Sequence, residues 1–506
     1  MPLVLPPGVR RDGGFIESDP ICTDALWIRF DRGKPRKIKG YQEIINSLSS
    51  QVRGIYVSDK RGYTNVYFGE ANHLEYTQVD RNSVTGALVD RTPSVFFPSS
   101  DNLWQFDQLF SPSSNASVVL AHPGLNLSDI TSELITPVYY GFEPDTAPLT
   151  ALTVPSEDGS STGVSGGIVV LHPYLFFYGA GGYLNWSAPG DPTTTDTASG
   201  GGGTGARICE SKVVKGLPYR GGQSGPAGIF WSLNSVDLVT FAGGTQIFQN
   251  SIISDDTTIL SSQTPLEYDG AFYWVADGRF LRYAGVVQEV PNLRNIDFFF
   301  DNLTPRTEQR IFSFKIPRRG EVWFCGCLNG APEPNHAVIY NVRIQDWYDT
   351  PITPRTAGTM AKVARKPYLV AAQSNPDGRY SLWQHETGVD ELKLNGSRNA
   401  IRSYFQTGSF SPVLQGRNNA TQAVVLEPDF KVQQGHIDVT VTGRNALRGP
   451  DIDGKITIVA EQDELVPMED SRRYMRLRIE SNTAGGDLEL GTPTLHQRDD
   501  LSRIGS

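Results

Sequence analysis

The chain has 506 residues, 39% hydrophobic and 20% charged, with Phe 24, Tyr 20 and Trp 8. That aromatic content excludes a disordered chain, and the length exceeds one ordinary core, so two bodies with arms are expected. A formal net charge of −10 opposes sequence-independent gripping of nucleic acid, whose affinity comes from Lys and Arg displacing counterions from phosphate.

The opening, Met1-Pro2-Leu3-Val4-Leu5-Pro6-Pro7-Gly8, puts prolines where a signal peptide needs a continuous apolar helix, and no apolar run approaches membrane-spanning length. Neither export nor membrane insertion by this chain is expected. Residues 1–45 read as an N-terminal arm and first strand, with an extended backbone favoured by its Pro and Gly.

From there the chain shows no apolar stripe at helical spacing over three turns. Short apolar or alternating runs recur instead, each ended by Gly, Pro, Asn or Asp, and Gly 51 with Pro 33 suits such a fold. Arg53 to Val57, Asn65 to Gly69 and His73 to Tyr76 form a first meander. The pattern returns at Gly167 to Trp186, Ile229 to Phe248 and Ala271 to Val290, and less regularly at Ile311 to Ile344 and Tyr368 to Trp383. Trp186, Trp231, Trp274 and Trp323 fall 45, 43 and 49 residues apart, near the repeat of a four-stranded propeller blade. Chance is the competing reading, since eight tryptophans fall near some period. Counting meanders from Trp27 to Trp383 gives six or seven blades. The predicted architecture is all-β: a β-propeller over 46–398, then a β-sandwich with a C-terminal tail over 399–506. The later part shows longer alternating strands, with Val439 and Val441 set against Thr440 and Thr442, and Met475, Leu477 and Ile479 against Arg476, Arg478 and Glu480.

The Ser/Thr/Gly-rich stretches 156–167 and 193–205 read as long surface loops. The run Gly200-Gly201-Gly202-Gly203 imitates a phosphate cradle, but no Gly-Lys-Ser/Thr follows it.

Chemistry is sparse. Cys22 and Cys209 stand alone, and Cys325 and Cys327 share one strand face, where they cannot easily bridge; buried thiols are expected, with a metal pair as the alternative. His122 and His172 each precede a proline and have no triad partner nearby in sequence. Asn375-Pro376-Asp377-Gly378 is a β-turn, and Asp451-Ile452-Asp453-Gly454 lacks the later glutamate of a calcium loop. Glu386 with Asp390, and Asp297 with Asp301, read as solvated loop carboxylates. The basic runs Lys34 to Lys39 and Arg472 to Arg476 are short and set in acidic surroundings, which favours a partner contact or a solvated face over nucleic acid. No catalytic, cofactor-binding or metal residue is assigned, no cofactor is expected, and the chain does not read as an enzyme.

The segment Ala25-Leu26-Trp27-Ile28-Arg29-Phe30-Asp31-Arg32-Gly33-Lys34-Pro35-Arg36-Lys37-Ile38-Lys39-Gly40-Tyr41 resembles the opening of a large group of phage virion proteins. Further stations follow in order: Leu103 to Asp107, Leu184 to Pro192, Phe272 to Tyr283, Glu321 to Phe324, Leu382 to Gly388, Leu426 to Phe430 and Leu477 to Asn482. Each is weak alone; their order over nearly the whole chain is what resembles the tail nozzle proteins of podophages, also called tail hub, tail tubular or packaged-DNA stabilisation proteins. The resemblance implies a propeller with an added β domain, assembled as a hexameric homo-oligomer below the head-to-tail adaptor of the virion's short tail, after synthesis in the host cytoplasm. Such a ring forms the DNA exit channel, retains packaged genomic DNA and releases it on infection. It brings no catalytic residues.

An acidic channel suits DNA that passes through the lumen without specific binding. The loops near 156–167 and 193–205 are candidates for a gate or for attachment of tail fibres. The alternatives are a receptor-binding or fibre-attachment virion protein, which predicts β-helix repeats or a glycan pocket, and a propeller glycosidase, which predicts clustered acids. A host-side propeller scaffold would leave the phage-like opening unexplained.

Overall fold

Short β-branched and aromatic runs fold as strands, nearly all paired antiparallel, throughout the computed structural model. It describes residues 2–500 apart from 15–19, 61–62, 81–82, 85, 96–98, 100–101, 125–129, 144, 156, 158–161, 196–205, 221–224, 245–246, 361–365, 372 and 411–419. Most of the two Gly-rich stretches, including Gly200 to Gly203, thus lies outside the described residues.

Seven sheets follow one another along the chain, antiparallel apart from a parallel pairing of Glu391–Leu392 with the start of Tyr41–Leu48 in the last. Their first strands are Val52–Lys60, Gln105–Ser111, Gly167–Leu171, Val213–Pro218, Leu266–Tyr268, Phe312–Ile316 and Arg355–Thr359. The first six sheets take their principal strands from consecutive sequence. The seventh takes Arg355–Thr359, Tyr368–Ala371 and Tyr380–His385, and receives Tyr41–Leu48 from the start of the chain as its next strand. Strand Arg355–Thr359 lies against Val52–Lys60, making the seventh and first sheets neighbours. The fold is all-β and propeller-like.

Apolar layers between successive sheets hold this arrangement together. Leu109, Val118 and Leu120 meet Ile168, Leu175 and Phe177 between the second and third sheets. Trp231 meets Trp274 between the fourth and fifth, with ring centroids 5.7 Å apart. Between the seventh and first sheets, Leu48, Val370 and Leu382 pack on Val66 and Phe68. Burial of each such side chain contributes about 1.5–3 kcal/mol, and a lone four-stranded sheet could bury only a fraction of them. The close approach of Trp104 explains two glycines within strands. A Cβ on Gly54 would lie 2.6 Å from the Trp104 Cβ, and one on Gly69 would lie 2.1 Å from its Cγ.

The tryptophan spacing holds for three members of four. Trp231, Trp274 and Trp323 lie on the second strands of the fourth, fifth and sixth sheets, in Ala227–Ser232, Ala271–Ala276 and Glu321–Gly326. Trp186 ends Tyr183–Trp186, the third strand of its sheet, so its 45-residue interval is fortuitous.

The rest of the chain forms three further sheets. One orders Asp24–Leu26, Ser403–Gln406, Tyr474–Ser481, Ile437–Arg444 and Ile456–Val459; a second orders Val466–Arg472, Ala420–Glu427 and Thr494–Asp500; a third orders Ile28–Asp31, Lys34–Lys37, Asp487–Leu490 and Phe430–Gln434. The expected alternation is present: Val439 faces Ile479 and Val441 faces Leu477, all four buried. Residues 1–45, expected as an arm and first strand, instead supply strands to both parts of the molecule. Leu3, Leu5 and Val9 are buried in the same core as Phe405, Leu477 and Leu490. That core continues into Phe314, Trp323 and Ile339 of the sixth sheet and Leu369 of the seventh, so the second body and the propeller-like body share one apolar interior.

Candidate functional site

Three of the segments singled out in the sequence, Ala25 to Tyr41, Glu321 to Phe324 and Leu382 to Gly388, meet where the N-terminal hairpin, the sixth and seventh sheets and the C-terminal strands come together, whereas Leu103 to Asp107, Leu184 to Pro192 and Phe272 to Tyr283 lie in the second, third and fifth sheets. Strands Ile28–Asp31 and Lys34–Lys37 are joined by Arg32 and Gly33, at φ of 52° and 79°. Two consecutive residues at positive φ make the tight turn that suits the twist of a hairpin, and glycine takes the second position without strain. The hairpin carries Arg29 into the interior, where it is 1% exposed.

Arg29 donates Nη1 to Glu386 Oε2 at 2.8 Å and Nη2 to Glu386 Oε1 at 2.6 Å, the bidentate geometry that favours arginine over lysine. Its Nε lies 3.1 Å from Glu321 Oε1. Tyr348 Oη donates to Glu321 Oε1 at 2.7 Å and Trp323 Nε1 to Oε2 at 2.9 Å, so both carboxylates are held in place. Burial pushes the Glu386 pKa up, but Arg29 and Arg319 outweigh it and leave Glu386 below the usual carboxylate range. Glu321 ends above that range, because burial there exceeds the pull of Arg29. Glu386 also has a φ of 59°, a backbone strain that the pairing must hold.

An aromatic stack adjoins the ion cluster. Tyr41 stacks on His385 at 4.9 Å and meets Trp383 edge-on at 5.2 Å, while Trp27 meets Tyr41 edge-on at 5.8 Å. The Arg355 guanidinium lies 5.2 Å from the Tyr41 ring centroid. Burial first, then Arg355, hold the His385 pKa well below its ordinary value, so the ring is neutral.

Outside this cluster the hairpin is tied down by further ion pairs. Arg36 meets Glu489 at 2.9 Å and Asp31 at 3.2 Å; Lys39 meets Asp487 at 2.6 Å; Arg319 meets Asp31 at 2.7 Å. Lys37 is buried and donates to the Gly486 carbonyl at 2.9 Å, its pKa pushed down to about 8 by burial. The basic run Lys34 to Lys39, read as a partner contact or solvated face, is thus largely an internal fastening. In the run Arg472 to Arg476, Arg472 and Arg476 are likewise buried, with Arg472 donating to the carbonyls of Ile452 and Ser471. Glu386 and Asp390 are also not solvated loop groups: Asp390 is 4% exposed, pairs with Arg398 and accepts from the Gly485 N–H at 2.7 Å.

Beside the joint opens a cleft of about 970 Å³. Arg36, Lys39 and Arg398 line it from the hairpin and the end of the seventh sheet, and Lys315, Arg318, Arg319 and Lys366 from the turns of the sixth and seventh sheets. Glu386 is the one carboxylate in the lining, and Ile316, Pro317, Met360 and Val389 supply apolar surface. Sequence reasoning missed this cleft because its cations come from separated segments.

A second cavity, of about 100 Å³, lies among the first strands of several sheets, lined by Tyr56, Gln105, Lys215 and Thr356 among others. Nearby, burial raises Asp107 to about 6 and lowers Lys215 to about 8. The cavity has room for a few waters.

The other sequence candidates resolve as structural. His122 is buried, takes the Gly124 N–H on Nδ1 at 3.0 Å, sits 2.9 Å from Thr136 Oγ1, and is pushed down to about 4 by burial. All four cysteines are buried and free. Asp451 pairs with Arg444 at 2.7 Å. Asp297 and Asp301 lie on the helix Ile296–Asp301, whose first turn is capped by Asp12. Glu70 and Glu75 form a buried carboxyl pair under the Ser49–Ser50 turn, with Glu70 raised to about 10 by burial and by Glu75. No group of three or more His, Cys, Asp or Glu suited to a metal occurs among the described residues. No helix among them is long and apolar enough to cross a membrane.

No family model and no curated protein matches the chain. Among solved structures it is similar to a computationally designed protein, at 13% identity over 68% of this chain and 99% of that one, with a TM-score of 0.35. It is also similar to the WD40 domain of coronin from Toxoplasma gondii, at 10% identity over 75% and 100%, with a TM-score of 0.36. A third is a putative exported protein from Bacteroides fragilis, at 7% identity over 76% and 99%, with a TM-score of 0.33. At such TM-scores these likenesses add nothing to the strand pairing described above.

Proposed function

We propose that the chain is a structural subunit of a short bacteriophage tail, a nozzle or hub protein that forms the DNA exit channel below the head-to-tail adaptor. In this reading it is a seven-bladed β-propeller closed by Tyr41–Leu48, with a β-sandwich as its second body. The observation that carries the proposal is the meeting of three of the phage-like stations. Trp27, Arg29 and Phe30 from the opening, Trp323 from the sixth sheet, and Trp383 to Glu386 from the seventh contact one another or share a partner in the single buried joint. These segments lock two bodies together, which is the demand on a ring subunit under the pressure of packaged DNA.

Support against a propeller glycosidase comes from the carboxylates. Glu321, Glu386 and Asp390 are committed to cations, and Glu70 with Glu75 is sealed under a turn. Electron microscopy of the purified full chain, alone and with its adaptor, tests the proposal. Six-fold rings with a lumen wide enough for duplex DNA are the expected result. A monomer that never assembles with the adaptor present would overturn it.

A further inference from the structure

The chain carries a net charge of −10, yet seven cationic side chains and a single carboxylate line one cleft of about 970 Å³. Most of these cations hold a carboxylate of the protein on one side: Arg36 holds Glu489, Lys39 holds Asp487, Lys315 holds Glu267, and Arg319 holds Asp31. What remains is unspent. The Nε–H groups of Arg36 and Arg319 are buried and meet no hydrogen-bond acceptor among the described residues. A buried donor left without an acceptor costs about 1–3 kcal/mol, so the protein's own carboxylates do not fully satisfy these two guanidiniums, although Arg319 Nε lies 4.0 Å from Glu386 Oε2. Arg318 is exposed, and among the described residues the Lys366 ammonium is held by a neutral group, donating to Thr387 Oγ1 at 3.0 Å. Burial, and after it the nearby Arg29, also push the Arg319 pKa below its ordinary value.

The ligand must therefore bring negative charge spread over a length, acceptor oxygens without donors, and apolar parts for Ile316, Pro317, Met360 and Val389. A single inorganic anion is too small for the volume and lacks apolar parts. A phosphodiester backbone has both: charge at each phosphate, matched by arginine forks, and sugars between them. We propose that this cleft is a binding site for the sugar–phosphate backbone of a nucleic acid, engaging two or more phosphates without reading sequence. The inference does not rest on the nozzle reading, since it concerns a cleft within one subunit.

Fluorescence anisotropy on the purified full chain tests it, with a labelled oligothymidylate of about ten nucleotides as one probe and a mixed-sequence duplex as the other. Binding of either at low salt is expected, independent of sequence, and weakening with salt with a slope of about −1.4 or steeper for two single-strand phosphates. The double variant R318E/K366E, which reverses one exposed charge and one held by a hydrogen bond to Thr387, should lose affinity about tenfold or more while its circular-dichroism spectrum stays that of the parent. R279E, an exposed charge reversal on the fifth sheet, should bind like the parent. Three results would overturn the site: no binding of either probe at low salt, equal loss in R279E and in the double variant, or displacement by polyglutamate as effective as by unlabelled oligonucleotide at equal charge. The last would assign the cleft to an acidic protein segment instead.

Discussion

Two of the seams that stitch the start of the chain to its later part are built on opposite principles. Tyr41–Leu48 enters the seventh sheet through an extended ladder, with Tyr41 opposite His385, Ile45 opposite Leu382 and Leu48 opposite Tyr380. Its inward side chains Ile44, Ile45 and Leu48 join a purely apolar layer. The hairpin of Ile28–Asp31 and Lys34–Lys37 meets the C-terminal strands through one register pair, Arg36 with Glu489, and adds to the buried apolar contacts of Ile28, Phe30 and Ile38 the buried ion pairs of Arg29 with Glu321 and Glu386. A ladder with an apolar face is non-directional and tolerates small changes. A buried bidentate pair fixes one orientation and fails sharply when half of it is removed.

The largest effect should come from the ionic seam. Arg29→Ala leaves Glu321 and Glu386 buried without their cation and should cost about 3–5 kcal/mol in urea unfolding. Adding Glu321→Gln and Glu386→Gln to Arg29→Met should recover a large part of that loss, because no uncompensated charge is then left. If Arg29→Ala alone costs less than the truncation described next, the ionic seam is not the sharper of the two. Leu48→Ala in the apolar seam removes a fully buried side chain and should cost about 2–4 kcal/mol, with no dependence on pH between 5 and 8.

The seams should also separate by pH. His385 stacks on Tyr41 where they meet, and its folded-state pKa lies below the ordinary value near 6.5. A depressed histidine pKa leaves stability intact above about 6.5 and removes it as pH falls, since the unfolded chain takes the proton first. His122, held at about 4, adds to the same trend. Stability should therefore decline below about pH 6.5, each histidine contributing at most about 1.4 kcal/mol per pH unit. His385→Gln should flatten that slope; an unchanged slope would place the acid sensitivity elsewhere. Glu70 has the opposite sign. Its pKa is raised to about 10, so its stability contribution is complete below the ordinary carboxylate value and is lost as pH rises. Glu70→Gln should stabilise by about 1 kcal/mol at pH 8 and by nothing measurable at pH 4.

The apolar seam was the more legible of the two in the sequence, though neither was legible as a seam. Meanders such as Asn65 to Gly69 and Leu175 to Tyr178 announce themselves by residue type and by the glycines and asparagines that end them, and Val439 with Val441 shows its buried face by alternation alone. Pairing across hundreds of residues leaves no such trace. Asp24 opposite Gln406, or Arg36 opposite Glu489, is invisible to a local pattern, so residues 1–45 read as an arm. Glu386 was misjudged for a related reason. It lies in a Gly-containing turn, the usual setting of a solvated carboxylate, and only folding brings Arg29 to it. The cationic cleft was hidden likewise, its charges being spread over the hairpin and the turns of two sheets, within a chain whose overall charge is negative.

The smallest effect should come from Arg402, and it isolates what makes the ionic seam strong. Arg402 meets Glu480 with Nε at 2.6 Å and Nη2 at 3.0 Å, a bidentate pair as well formed as Arg29 with Glu386. The difference is water: the Arg402 side chain is 49% exposed and that of Arg29 is 1% exposed. Solvent screening and the entropy of holding a long side chain then offset most of the attraction, and Arg402→Ala should cost less than about 1 kcal/mol. High salt should shrink even that, because an exposed pair is screened within about one Debye length. A loss for Arg402→Ala comparable to that of Arg29→Ala would mean that bidentate geometry, and not burial, sets the strength of these pairs. The hairpin joint would then be held by the same forces as the surface.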